Sequence, residues 1–168
     1  MNFAFFISDH GFGHIMRNLP VLKEVIARKH TVVLVCAERQ LRIAAEHLGE
    51  TASLVLIPHQ MEVGLVVQPG TLGVDQKKTA KAVEAYVSDF PNRIAFAKRV
   101  LQEHHITRVV VDIVPWALAA ANESRTPSYL MASFTWIEQY ESYIDEKYLK
   151  VLRNAFLSTN FVLLYRLV

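Results

Sequence analysis

The residues best suited to chemistry lie in the segment 8–14, where two glycines stand between two histidines. Gly11 and Gly13 permit a sharp turn and a close approach of the backbone to a ligand. The apolar spacing that begins directly after His14 predicts a helix, and the free N–H groups at a helix start favour negative charge. An imidazole titrates near neutrality, so His14 is suited to accept a proton as a general base.

Two other interpretations of this turn stay open. The glycines are also compatible with a purely structural turn in which His14 caps the helix. A dinucleotide-binding fingerprint needs a third glycine where Met16 stands, and we expect that side chain to obstruct packing of the helix on its strand. Glu38 occupies the place of the ribose-binding acid, so an NAD-binding domain is weakened as a hypothesis and not excluded. The sequence contains no Gly-x-x-x-x-Gly-Lys-Ser/Thr pattern, which excludes a P-loop NTPase.

A carboxylate stands at the end of a second apolar run. Asp112 follows the valines 109–111 and precedes a predicted helix from Trp116 to about residue 123. In an open α/β sheet the carboxyl ends of the strands face one crevice, where Asp112 and His14 can meet. A carboxylate bonded to the far imidazole nitrogen fixes the tautomer of the ring and stabilises the imidazolium. The alternative is that Asp112 only caps the following helix.

A third segment, residues 132–136, also links a predicted strand to a predicted helix. Ser133 or Thr135 is placed to cap that helix, which we expect to run without a break over residues 136–158. Trp136 offers an apolar wall to a sugar or a lipid, although most tryptophans serve only in the core.

The elements that must position these residues follow from the apolar pattern. Continuous apolar runs predict strands buried on both faces, over residues 3–7, 31–36, 54–57, 109–111, 129–132 and 161–165. Helical spacing separates them, which predicts an α/β fold with a doubly wound, mostly parallel sheet. Residues 59–75 predict a long loop with a possible short strand at 63–67, and Pro91 predicts either two helices or one kinked helix.

Composition limits the class of protein. The chain has 168 residues, of which 52% are apolar, with 18 Lys and Arg against 16 Asp and Glu. This predicts one domain and gives no basis for binding nucleic acid. The single cysteine, Cys36, excludes a disulfide framework and a cysteine metal site. The N-terminus lacks the features of a signal peptide and no apolar run is long enough to span a membrane, so we expect a cytoplasmic protein.

Three motifs together resemble a known family: His10-Gly11-Phe12-Gly13-His14 with Arg17, then Val111-Asp112-Ile113-Val114-Pro115, then Ser133-Phe134-Thr135-Trp136. They are similar to motifs in the N-terminal, acceptor-side half of GT-B glycosyltransferases. The likeness includes the glycosyltransferase-like domain of plant L-arabinokinases and its stand-alone bacterial relatives. It extends from residue 3 to about residue 166, which implies a Rossmann-like half of a GT-B fold.

The resemblance implies a function. His14 would be the general base of an inverting, metal-independent transfer from a UDP-linked sugar to an acceptor hydroxyl, with Asp112 as its partner. The nucleotide-sugar is then a co-substrate, and no cofactor or metal is expected. Substrate-binding positions implied in this way are Gly11, Phe12, Gly13, Arg17, Ser133 and Trp136. A non-catalytic sugar- or nucleotide-binding regulatory module is the alternative, because relatives fused to sugar kinases need not transfer a sugar.

The family also implies a second domain. GT-B enzymes bind the nucleotide-sugar mainly through a C-terminal Rossmann-like domain, and we expect residues 1–168 to be the N-terminal domain only. That second domain would come from the same polypeptide or from another subunit, so this chain alone is expected to be inactive. The apolar residues 161–168 would then lack their covering and favour self-association.

Overall fold

Six short strands rich in β-branched and aromatic residues alternate with helices in the computed structural model, which describes residues 1–164. The strands are β1 (Asn2–Ile7), β2 (Thr31–Cys36), β3 (Leu54–Pro58), β4 (Arg108–Asp112), β5 (Ser128–Ala132) and β6 (Phe161–Leu164). They form one sheet in the order β3-β2-β1-β4-β5-β6, and every pair of neighbours is parallel. The predicted α/β fold with a doubly wound parallel sheet is confirmed.

The helices cover both faces of this sheet. They are α1 (Gly13–Ala27), α2 (Glu38–Leu48), α3 (Gln76–Ser88), α4 (Phe90–Glu103), α5 (Pro115–Glu123), α6 (Trp136–Tyr140) and α7 (Glu146–Leu157). Helix α1 packs against α2, whereas α5 packs against α4 and α7. After β3 the chain returns to the middle of the sheet and adds β4, β5 and β6 on the other side of β1. Because parallel crossovers are right-handed, this change of direction places α1 and α2 on one face and α4, α5 and α7 on the other. Strands β1, β2 and β4 are consequently almost fully buried.

The order of strands reverses between β1 and β4, which are neighbours although they lie far apart in sequence. The last residues of the two strands, Ile7 and Asp112, pair directly. Ligands of open α/β sheets bind outside the carboxyl ends of the strands at such a reversal. The fold therefore brings the β1–α1 turn and the end of β4 to this position.

Three local predictions differ from the structure or are decided by it. The helix predicted over residues 136–158 is two helices, since α6 ends at Tyr140 and the side chain of Asp145 caps α7 by accepting the Lys147 N–H. Pro91 lies in the first turn of α4, where its missing N–H is harmless, so two helices form. The possible strand at residues 63–67 is absent from the described residues except for one antiparallel bridge between Val67 and Val74.

The edge strand β6 is apolar and exposed. Its residues Phe161, Val162, Leu163 and Leu164 are 53%, 53%, 51% and 75% exposed. Tyr165, which was included in the predicted strand, and residues 166–168 lie outside the described residues. No helix within residues 1–164 is both long and apolar enough to cross a membrane.

Candidate active site

One face of helix α1 carries three polar side chains that converge on a single carboxylate. His14, Arg17 and Asn18 stand at helical spacings of three and four residues, so their side chains lie side by side. All three bond to the side chain of Asp112, which is completely buried at the end of β4. The proximity of His14 and Asp112 expected from the sequence is therefore observed.

Within residues 1–164, each oxygen of the Asp112 carboxylate has two donors. Oδ1 accepts from His14 Nδ1 at 2.8 Å and from Arg17 Nη2. Oδ2 accepts from Arg17 Nε at 2.8 Å and from Asn18 Nδ2 at 2.7 Å. Arg17 thus holds the carboxylate at two points, and such bidentate bonds fix its orientation. From the sequence, Arg17 was expected to pair with a carboxylate or to reach a phosphate of the substrate, and in the structure it pairs with Asp112.

The orientation of the His14 ring follows from these bonds. Because a carboxylate only accepts, Nδ1 of the neutral ring carries the proton and Nε2 keeps its lone pair. Arg17 Nη2 also lies 2.8 Å from Nδ1, yet both groups donate and share Asp112 Oδ1 as their acceptor. Nε2 bonds to no residue in 1–164, and the side chain is 8% exposed. This arrangement leaves Nε2 able to accept a proton from a bound molecule.

The backbone after Asp112 is strained. Ile113 has a φ of 51°, in the left-handed region that a β-branched side chain rarely adopts, and its side chain is buried. Such strain tends to persist at functional sites, where the surrounding structure enforces it. The N-cap of α5 is Val114, and no side chain among residues 1–164 caps that helix start. The hypothesis that Asp112 serves as the helix cap is therefore wrong.

The β1–α1 turn is built around Gly11, whose φ of 73° would strain any other residue. The side chain of Gln40 donates to the carbonyl oxygens of Ser8 at 3.0 Å and Gly11 at 2.7 Å, which fixes the turn from α2. Phe12 is the N-cap of α1 and is 50% exposed, so it and the exposed Gly13 face the open edge. The hypothesis that His14 caps the helix is wrong, because His14 lies inside α1 and no side chain of the described residues 1–164 caps its start.

Two features bear on the alternative of a dinucleotide site. Met16 is 47% exposed, so its side chain points away from the sheet and does not obstruct helix packing as the sequence suggested. Glu38 lies in the first turn of α2, is largely exposed, and forms an ion pair with Arg42 at 3.7 Å. The missing third glycine remains the argument from sequence against this alternative.

In the segment 132–136, the aromatic residue that can contact a ligand is not the one that the sequence predicts. Thr135 caps α6 in a capping box with Glu138, and Ser133 is exposed, with its Oγ 3.4 Å from Arg17 Nη1. Trp136 is only 3% exposed, so it cannot present a wide apolar wall to a ligand. Phe134 is half-buried, and its ring lies 6.2 Å from the ring of His14. Phe134 is therefore better placed than Trp136 for contact with a ligand.

One buried acid near the site has no signal in the sequence. Glu62 lies in the loop after β3 and is 4% exposed, and it accepts hydrogen bonds from Ser8 Oγ and Trp136 Nε1. Burial raises the pKa of Glu62 to about 8. Within residues 1–164 no cluster of three or more His, Cys, Asp or Glu side chains is placed to hold a metal ion.

The grip of Arg17 on Asp112 predicts a loss of stability when it is removed. Arg17→Met leaves the buried carboxylate with two fewer donors, and we expect the free energy of unfolding to fall by about 2–4 kcal/mol, measured by urea denaturation. Arg28→Met is the matched control, because Arg28 directly follows α1 and pairs with Glu24 on the exposed surface of that helix, where the loss should stay below about 1 kcal/mol. Equal losses in the two variants would contradict a structural role for Arg17.

Comparison with known proteins reveals similarity to part of one curated protein. The chain is 29% identical over 146 residues to L-arabinokinase of Arabidopsis thaliana. The match covers 84% of this chain and 14% of that protein. No protein-family model matches the sequence.

Several solved glycosyltransferase structures share the fold. UGT89C1 of Arabidopsis thaliana, solved with UDP, matches with a TM-score of 0.61 and 12% identity over 97% of this chain. CalG4, the calicheamicin glycosyltransferase, matches with a TM-score of 0.59 and 15% identity over 84% of this chain. The matches cover 44% and 36% of those chains, so this chain spans less than half of either. The chain has the fold of one domain of the GT-B glycosyltransferases.

Proposed function

We propose that this chain is the acceptor-side half of an inverting glycosyltransferase that acts on a nucleotide-sugar, with UDP as the nucleotide. The bond of 2.8 Å between His14 Nδ1 and Asp112 Oδ1 carries the proposal, because it leaves Nε2 at the carboxyl edge of the sheet as a proton acceptor. The shared fold supports it, and among the similar structures UGT89C1 was solved with UDP and with UDP-L-rhamnose.

The reaction follows from the position of this base. An acceptor hydroxyl attacks the anomeric carbon from the side opposite the nucleotide, so a new C–O bond forms as the bond to the diphosphate breaks. The hydroxyl proton passes to His14 Nε2, and Asp112 stabilises the resulting imidazolium. The negative charge leaves with the diphosphate. Backbone N–H groups at the start of α1, near Gly13, favour that charge.

The residues around the base divide into two roles in this proposal. Arg17 and Asn18 hold Asp112, so they act on the base through its partner. Gly11, Phe12 and Ser133 are exposed at the same edge and are proposed to contact substrate, together with Phe134. The nucleotide of the donor is proposed to depend on a second domain or subunit.

A product assay with the full-length gene product tests the reaction class. We expect transfer from a UDP-sugar to a hydroxyl-bearing acceptor, with inversion at the anomeric carbon detected by NMR. Because a histidine base and backbone N–H groups supply the catalysis, excess EDTA should leave the rate within about twofold. Retention of configuration, or a complete loss of rate in EDTA that is restored by a divalent cation, would contradict the proposed mechanism.

The match to L-arabinokinase favours a second candidate, a non-catalytic sugar- or nucleotide-binding module. That match covers a small part of a protein named for kinase activity, and a domain attached to a kinase can bind a ligand without transferring it. Calorimetry separates the candidates. Saturable binding of a sugar or nucleotide without any product, and without an effect of His14→Ala on binding, would favour the module.

A further inference from the structure

Glu62 connects three parts of the chain that are distant in sequence. Its Oε1 accepts from the hydroxyl of Ser8, just after β1, and its Oε2 accepts from the indole N–H of Trp136, at the start of α6. The residue is 4% exposed and forms no ion pair with any residue in 1–164. A buried carboxyl without a cation is costly, so its two bonds call for a specific explanation.

The main chain beside Glu62 is held in place independently. The N–H of Met61 donates to Asp9 Oδ2 at 3.1 Å, and the carbonyl oxygen of Met61 accepts from Trp116 Nε1 at 2.9 Å. Arg93 donates to the carbonyl oxygen of Gln60 at 2.6 Å. These bonds fix the backbone at residues 60–61, and with it the direction of the Glu62 side chain.

Two residues further on, the same loop passes against the β1–α1 turn. Gly64 has a φ of 62°, and a Cβ atom at this position would lie 3.0 Å from His10 Nδ1. Only glycine fits this approach without moving the histidine ring. The loop therefore forms a strap across the turn that precedes His14.

Trp136 is the link between this strap and the mouth of the site. Its ring is stacked on Tyr140 at 5.3 Å, meets the edge of His10 at 5.0 Å and meets Phe134 at 5.8 Å. His10 is exposed and Phe134 is half-buried, and Phe134 also contacts the His14 ring. The position of one indole thus determines where two accessible rings stand beside the proposed base.

We propose that Glu62 is a positioning residue of the site, which holds the Trp136 indole and thereby places the His10 and Phe134 rings that receive the acceptor beside His14. The identification of the bound group as an acceptor rests on the proposed function. The contacts that join Glu62, Trp136 and the two rings are independent of it. Glu62 touches neither the reacting atoms nor the open edge, so it acts through Trp136.

The charge state of Glu62 provides a measurement independent of catalysis. The pKa of Glu62 is raised to about 8 in all: burial is the largest cause, the negative charges of Asp9 and Asp112 add to the rise, and the hydrogen bonds from Ser8 and Trp136 oppose it. Two phenol groups, on α3 and α6, also face it: those of Tyr86 and Tyr140. Deprotonation near pH 8 therefore changes the partner of the Trp136 N–H from a neutral carboxyl to a carboxylate.

Fluorescence reports this change directly. Trp116 is kept, because its indole N–H holds the Met61 carbonyl oxygen, and we expect the combined emission of Trp116 and Trp136 to change with a midpoint near pH 8. Trp136→Phe, which leaves Trp116 as the emitter, should lose this change. Glu62→Gln, which keeps the shape of the side chain, should abolish the transition. Glu141→Gln, an exposed glutamate directly after α6, is the matched control and should retain it. A transition that survives in Glu62→Gln, or no transition in the parent protein, would overturn the inference.

Two neighbours should move the midpoint in opposite directions. Ser8→Ala removes a bond that favours the carboxylate, so the midpoint should rise. Asp9→Asn removes a negative charge that disfavours it, while the amide oxygen still accepts the Met61 N–H, so the midpoint should fall. If Ser8 and Asp9 only packed against Glu62, neither substitution would shift the midpoint. Shifts of the same sign would contradict the assignment to Glu62.

Kinetics of the full-length gene product test the positioning role. We expect Glu62→Gln to raise the acceptor KM roughly tenfold and leave the donor KM unchanged, since displaced rings affect the acceptor side. An unchanged acceptor KM in an active enzyme overturns the inference and leaves the proposed function intact. If the wild-type protein transfers no sugar, the proposed function fails, while the fluorescence midpoints still decide the link between Glu62 and Trp136.

Discussion

His14→Ala in the full-length gene product should reduce kcat for glycosyl transfer by about 10²–10⁴-fold, the usual contribution of a positioned general base. At about 1.4 kcal/mol per factor of ten, this corresponds to roughly 3–6 kcal/mol of transition-state stabilisation. The loss should appear in kcat because the proton moves only in the transition state. Substrate KM values should change far less.

We expect Asp112, the partner of the proposed base, to contribute nearly as much to kcat as His14. In Asp112→Asn the side chain remains similar in shape, but its amide can no longer accept from every one of the four surrounding donors. The His14 ring then loses the acceptor that selects its tautomer, and kcat should fall by at least 10²-fold. Folding of this variant is checked by circular dichroism, because Asp112 is fully buried.

His47→Ala is the matched control for the base. His47 lies near the end of α2 and is exposed, and its one hydrogen bond within residues 1–164 is to the carbonyl oxygen of Ile43 in its own helix. Its replacement should leave kcat within about twofold. If His14→Ala retains the wild-type kcat while His47→Ala behaves as expected, His14 is not the base and the mechanism is wrong.

The main parts of the fold were predictable because they depend on short-range signals. Continuous runs of valine, isoleucine and phenylalanine identify strands covered on both faces, and the ends of these runs locate Asp112 and the turn before His14. The carboxyl ends of parallel strands must meet at one edge, so two residues nearly a hundred positions apart could be placed together without a structure. The prediction of one long helix over residues 136–158 was wrong because Asp145 caps a new helix, α7, and no glycine or proline marks that point in the sequence.

The details of the site were harder to predict from the sequence than the fold. The spacing of His14, Arg17 and Asn18 on one helix was visible in the sequence, and it is the signal that would have found Asn18. That Asp112 is the carboxylate with which Arg17 pairs depends on three-dimensional distances. Glu62 carries no signal of this kind, because its neighbours Met61 and Val63 lie in a loop without periodicity. Its role arises only from the path of that loop across the β1–α1 turn.

The second large effect is expected from residues 1–168 produced alone, which should transfer no sugar and bind UDP-sugars with a Kd of about 1 mM or weaker. The similar glycosyltransferase structures are more than twice as long, and in the proposed function the nucleotide is bound by a second domain or subunit. Without it, the sugar is not held against the base. Positioning of reactants can contribute roughly 7–11 kcal/mol, and its loss is enough to abolish measurable turnover.

The same fragment should self-associate through β6. This edge strand exposes four apolar residues on its two faces, and an unpaired, uncharged strand edge readily pairs with another chain. Light scattering should therefore give a mass above that of a monomer at high concentration. Leu163→Lys places a charge on the strand and should restore the monomer, whereas Lys150→Glu, at an exposed position of α7, is the control and should not.

Calorimetry with UDP-sugars, combined with a product assay on the Leu163→Lys monomer, separates the missing contacts from the effects of association. We expect the monomer to bind the donor no more tightly than the parent fragment, because β6 lies at the edge of the sheet and the proposed base lies at its centre. Micromolar affinity for the donor, or turnover by the monomeric fragment, would show that residues 1–168 form a complete catalyst. The proposal that a second domain or subunit binds the nucleotide would then be wrong.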